Sequence, residues 1–291
     1  MRKNIFLLEA LLAVSAATMA QTKQGGISAQ MLSQIEKMQK TSAADKALFN
    51  AIAANSIDDL VKNRANAGPV DTHFSVETPA QRIHNQKSSG RCWMFSGMNV
   101  LRANFAKAHA DSLAVEFSQD YLFFYDQLEK ANLMLQGVID HARKSIEDPQ
   151  VQFFFKSPLN DGGTFCGVAD LAAKYGLVPM SAMPETYSSE NTNKMSRLVA
   201  SKLREYGLEL RRMAAAGKNA KQIAARKTEM LATVYHMLCL TLGEPVKEFS
   251  YAFRNKDGKQ MGEAKTYTPK SFYDATVGKE LNGTFIMVMN D

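Results

Sequence analysis

The stretch "NQKSSGRCWMFSGMNVLR", residues 85–102, decides how this chain is read, because it sets one of only three cysteines beside the only tryptophan. Phe95, Met98, Leu101 and Phe105 recur at helical spacing, so a Ser- and Gly-rich loop feeds a helix that starts near Cys92 and should end near Ala110. A thiol in the first turn of a helix has its thiolate stabilised by free backbone N–H groups and by the positive end of the helix dipole. Ser88, Ser89 and Gly90 let the chain turn tightly into that position, and Trp93 offers an apolar wall. Gln86 lies on the approach loop, where its amide and the Cys92 backbone N–H could together hold a developing oxyanion. An isolated cysteine is more often a small buried hydrophobe. Spacing and composition alone therefore leave both readings of Cys92 open.

Upstream, residues 21–40 are polar and read as a flexible lead-in. Residues 42–66 carry Leu48, Ile52, Ile57, Leu60 and Val61 in a broken helical pattern, which predicts two short helices with Ser56 capping the second. The segment around Pro79 reads as extended and then looped. Downstream, a helix is expected from Ser118 to about Lys144, with Tyr121, Phe124, Leu128 and Leu133 as buried candidates. "SPLNDGGT" breaks the pattern, and a short helix through Val168 and Leu171 closes at Gly176. Residues 188–242 contain no proline and predict two long helices joined near Gly217. Past Pro245, "KEFSYAFRNKDGKQM" reads as a strand, a turn and a return strand. Thr268 and Pro269 open another short helix, and "TFIMVMND" at 284–291 reads as a buried strand whose neighbours the residues after Lys247 do not supply.

The chain has 291 residues, 45% of them hydrophobic and 22% charged, a globular balance with enough apolar material for one substantial core. Residues 1–20 hold Arg2 and Lys3, an apolar run and then small residues, the pattern of an export signal, and the run is too short to span a bilayer. An exported, periplasmic or extracellular location is expected. The leader contains two bases and one acid, so its removal takes the net charge from +6 to +5. Much of the basic excess lies in residues 194–227, which reads as a solvated helical face unless the charge gathers on one side to form a nucleic-acid patch. Three cysteines permit at most one disulfide, and none is expected. There is no HExxH, CxxC, P-loop or dinucleotide fingerprint, and His236 with Cys239 is only half a metal site, so neither a metal nor another cofactor is expected.

"QKSSGRCWMFS", together with "EFSQDYLFFYDQLEKAN", "NDGGTF", "KYGLVP" and "PETYSSENTNKMSRLVASKLRE", resembles the papain-like cysteine peptidases of the bleomycin hydrolase and aminopeptidase C family, from about residue 45 to the end. The resemblance implies an α+β papain-like fold: residues 41–185 form the helical half with the nucleophile, 186–245 a helical insertion, and 246–291 the start of the strand-rich half. It implies Cys92 as nucleophile, Gln86 as the oxyanion side chain, and Gly162 and Gly163 as the backbone edge that binds extended peptide. Without the family, that glycine pair reads as a tight turn. The resemblance also implies a histidine base oriented by an asparagine in the strand-rich half, which are expected beyond Asp291. His73, His84, His109, His141 and His236 are read as surface or packing residues.

The expected activity is therefore peptide hydrolysis of the aminopeptidase kind in a hexameric assembly, with the 291-residue chain inactive by itself. Two other classes remain open. One is a silent peptide-binding relative that keeps Gly162 and Gly163 without a base. The other is a nucleic-acid-binding protein that uses the basic helices of residues 194–227.

Overall fold

The computed structural model describes residues 26–66, 68–78, 82–109, 113–255 and 257–281; the expected leader at 1–20, Pro79 and the apolar strand at 284–291 lie outside them. The chain divides into two units, Met1–Phe74 and Ser75–Asp291.

The first unit contains α1 (Ala29–Met38), α2 (Ala43–Ala54) and the single turn α3 (Ile57–Leu60). The lead-in expected to be flexible is thus helical from Ala29. Ser28 caps it by accepting from the Met31 N–H, and Met31, Leu32 and Ile35 share one face. Ser42 and Asp45 close a reciprocal capping box at the start of α2. Ser56 precedes α3 as expected, but its side chain makes no capping bond.

The second unit is mostly helical with a small antiparallel strand pair, an α+β arrangement. Its helices are α4 (Cys92–Ala108), α5 (Gln119–Asp140), α6 (Pro149–Lys156), α7 (Phe165–Tyr175), α8 (Tyr187–Glu190), α9 (Thr192–Ala215), α10 (Ala220–Leu242), α11 (Pro269–Thr276) and α12 (Gly278–Leu281). The strands are β1 (Phe249–Tyr251) and β2 (Lys265–Tyr267).

Helix α5 is the centre of the core. Tyr121, Leu122, Phe123 and Phe124 are consecutive and all buried, which one face of a helix cannot achieve. The helix is therefore enclosed, with α4 and α7 against it on one part and α6, α9 and α10 on the rest. Ser118 caps it through the Tyr121 N–H, as the sequence predicts. Leu133, expected in the core, is instead 63% exposed; past Ala131 only one face of α5 stays covered, through Met134, Leu135 and Val138. Gly137 lets the Phe154 ring of α6 sit where a Cβ would be, 2.2 Å from ring carbon. Helices α9 and α10 form the expected long pair, and Gly217 turns between them with φ +74°.

The strand pair differs from the expected hairpin. Phe249 pairs with Tyr267 and Tyr251 with Lys265, so the partner of β1 lies beyond the Asp-Gly turn. Across that turn the arms are joined by an isolated bridge between Arg254 and Gln260 and by bonds from the Asn255 N–H to the Lys259 carbonyl and from the Met261 N–H to the Phe253 carbonyl. The reason is aromatic packing: Phe249, Tyr251 and Phe253 all contact the ring of Phe272 on α11, and Tyr267 completes the group. Residues 259–261 have no aromatic group to add to it.

Candidate active site

Cys92 opens α4 and is exposed, which places it at the end of the helix where backbone N–H groups are free. Cys166 and Cys239 are also free thiols. Burial, with the nearby Glu244 charge, pushes the Cys239 thiol up and makes it a poorer nucleophile.

The approach loop is held by its own polar groups. Gln86 Nε2 donates to the Ser89 carbonyl at 2.6 Å, and the Ser89 hydroxyl donates back to the Gln86 carbonyl at 2.7 Å. One amide N–H of Gln86 is thus committed to the loop, which leaves the second to act on an oxyanion. Lys87 between them takes a left-handed backbone, φ 55°, with its N–H on the Asn85 side chain.

Beneath the loop, Arg91 is fully buried. Its guanidinium forks onto Glu185 at 3.1 and 2.8 Å, reaches the Ser89 hydroxyl at 3.1 Å, and lies between the rings of Phe95 and Phe123. The residue before Cys92 is thereby pinned, and with it the start of α4. Asp120 lies in the same polar cluster. Burial, and then the Glu185 charge, raise its carboxyl to about 8 against the opposing pull of Arg91. Neither Asp120 oxygen has a hydrogen-bond partner among the described residues, which suits a neutral acid.

Gly162 and Gly163 stand beside this helix end. A Cβ on Gly163 would lie 2.5 Å from the Trp93 indole, so the glycine backbone rests against the ring of the residue that follows Cys92. Trp93 Nε1 donates to the Asp161 carbonyl at 2.6 Å and fixes that contact. Lys130 of α5 then donates to the carbonyls of Asn160 and Gly162 at 3.0 and 2.6 Å while paired with Asp126 at 2.8 Å. Asp161 ties its own loop to two other segments: its carboxylate accepts from the Gly90 N–H at 3.0 Å and from the hydroxyls of Thr192 and Ser196 on α9.

The structure therefore brings Cys92, Gln86, Gly162 and Gly163 into one region through Trp93 and Asp161. Lys130 and Arg91 were not legible as part of it, since their roles depend on carbonyls and a carboxylate far away in sequence. Asp161 did leave a signal, as the acid immediately before the glycine pair.

His84, His109 and His141 have side-chain contacts of their own. His84 Nδ1 lies 3.0 Å from Arg102, and its Nε2 is 3.5 Å from Glu116; burial and then the Arg102 charge lower its affinity for a proton. Arg102 is ten residues along α4 from Cys92, about 15 Å at 1.5 Å per residue. His109 ends the same helix with Nδ1 on the Phe105 carbonyl, and His141 ends α5 on the Gly137 carbonyl. His236 is exposed on α10. Among the described residues, no group of three or more His, Cys, Asp or Glu is placed to hold a metal ion.

Residues 26–291 match the model of the Peptidase C1-like family. Aminopeptidase C of Lactobacillus delbrueckii subsp. lactis is 37% identical over 241 residues, which are 83% of this chain and 53% of that protein. Human bleomycin hydrolase is 35% identical over 228 residues, 77% of this chain and 50% of that protein. The crystal structure of PepW from Lactobacillus rhamnosis HN001 superposes with a TM-score of 0.78 at 33% identity, covering 87% of this chain and 56% of that one. The chain thus spans about half the length of the relatives it matches. Helix-borne Cys92, the glycine edge on Trp93 and a match that runs through both are one set of observations, and by them the chain belongs to the Peptidase C1-like family.

Proposed function

We propose that the chain carries the nucleophile and substrate edge of a cysteine peptidase of the aminopeptidase kind. The observation that supports this reading best is the exposed Cys92 thiol at the start of α4 beside a glycine backbone seated on Trp93. A peptide laid along Gly162 and Gly163 presents its carbonyl carbon to Sγ of Cys92. The thiolate adds, the carbonyl oxygen becomes an oxyanion held by the Cys92 N–H and the free N–H of Gln86, and the C–N bond breaks as the amine takes a proton. Water then attacks the thioester and releases the acid.

His84 and His141 are engaged by Arg102 and by the Gly137 carbonyl, and on this reading the base of Cys92 is a histidine outside the described residues. Turnover then requires a histidine from outside them, and the described residues alone should hydrolyse no peptide.

The test is release of N-terminal amino acids from short peptides by the protein as isolated from its cells. The expected result is release that falls by at least about a thousandfold in Cys92→Ala. Release that survives this substitution would contradict the reading. Peptide binding without release would favour the silent peptide-binding relative.

A further inference from the structure

Behind the Asp161 clamp lies a groove of about 790 Å³, walled by the approach loop at 87–90, the end of α6 with residues 157–159 and Asp161, and the first four turns of α9. Four cations face it: Lys87, Lys156, Arg197 and Arg204. None of them is in an ion pair among the described residues. Arg204 uses Nε and Nη2 on the carbonyls of Phe155 and Lys156, which fixes its head at the wall while its charge stays uncompensated. Asp161 is the one acid of the lining, and its oxygens are already taken by Gly90, Thr192 and Ser196. Ser88, Ser157 and Asn193 add hydrogen-bonding groups between the cations.

Like charges gathered in one concavity repel, and the field lines they share are focused by the walls into the groove. Such a site is stabilised by an anion and discriminates for one. Its position says which anion. Ser89 and Gly90 lie immediately before Arg91 and Cys92, and Asp161 immediately before Gly162. The groove is thus flanked on both sides by the segments that would hold a peptide against the thiol.

We propose that this groove binds a carboxylate of the peptide substrate, from an acidic side chain or from a free C-terminus, and sets a preference for acidic peptides. The inference rests on the peptidase reading and adds a specificity to it. Lys156 and Arg197 supply the selective charge, since both are exposed and neither side chain holds the fold together; Lys87 and Arg204 complete the field.

The experiment uses short peptides that differ only by Glu against Gln, each with a free or an amidated C-terminus, titrated against the whole protein. Trp93, the only tryptophan, reports occupancy by its fluorescence. The expected result is binding about tenfold tighter for the carboxylate form, weakened by salt and lost in the double variant Lys156→Gln, Arg197→Gln, with Gln-peptide binding unchanged. Whether the Glu or the C-terminal arm carries the effect identifies the carboxylate. Equal binding of all forms would overturn the groove while leaving the peptidase reading intact, and binding of none would overturn both. An oligonucleotide that binds through Lys156 and Arg197 while acidic peptides do not would overturn the proposal in favour of nucleic acid.

Discussion

Asp120 and Arg91 show how much of the site rests on single buried residues. Arg91 and Glu185 are worth keeping together because separating them leaves a charge without water or partner, a penalty of about 3–5 kcal/mol in comparable pairs. Asp120, one of their neighbours, is raised to about 8 by burial and then by Glu185, so it is neutral where a solvated carboxyl would be ionised. The folded state therefore holds one more proton than the unfolded chain between about pH 4 and 8. The sign follows: this contribution to stability is full below the unfolded value and is lost as pH rises through about 8, at ~1.4 kcal/mol per pH unit. Urea unfolding at a series of pH values should show that decline, and Asp120→Asn should flatten it. A decline of equal slope in the variant would remove Asp120 as its source. None of this was readable in "SQDYLFF", because an aspartate at the second position of a helix is ordinarily a solvated dipole partner.

At the scale of elements, the helices were legible and their surroundings were not. The caps at Ser118 and Thr268, the stop at Gly176 and the turn at Gly217 follow from local chemistry. Leu133 is exposed and β1 takes a distant partner because tertiary packing, rather than local period, decides those positions. The contact between the loop at 160–163 and α4 is of the second kind. Its key residue is Gly163, where a methyl group would have to displace the Trp93 ring. Gly163→Ala should slow labelling of Cys92 by a peptidyl electrophile by at least about tenfold, because misplacing a bound peptide by an ångström costs such factors. The rate with iodoacetamide, which needs no backbone edge, should stay the same. Equal loss with both reagents would mean that the substitution disturbs α4 itself.

For the molecule as a whole, two kinds of surface stand out. The first unit exposes apolar residues along α1 and α2, among them Met31, Ile35 and Phe49. The second unit sets four cations that have no ion pair among the described residues, Lys87, Lys156, Arg197 and Arg204, in one groove beside the candidate site. Its basic residues elsewhere on α9 and α10 are in part neutralised, as when Arg226 bridges Glu209 and Glu229. Within 194–227, Lys202 and Arg226 are paired with acids while Arg197 and Arg204 face the groove, a distinction that composition could not show. Family membership was legible in the motifs around Cys92 and Gly162. The proposed function turns on one atom, Sγ of Cys92.

The most direct test compares the three thiols in one tube. Cys166 is also exposed in the first turn of a helix, α7, and so controls for exposure and dipole alone. A peptidyl vinyl sulfone followed by tryptic mapping should label Cys92 at least about a hundredfold faster than Cys166 or Cys239, the advantage expected of a bound, oriented electrophile. Labelling of Cys92 and Cys166 at equal rates would mean that no peptide site adjoins Cys92, and would contradict its assignment as the nucleophile.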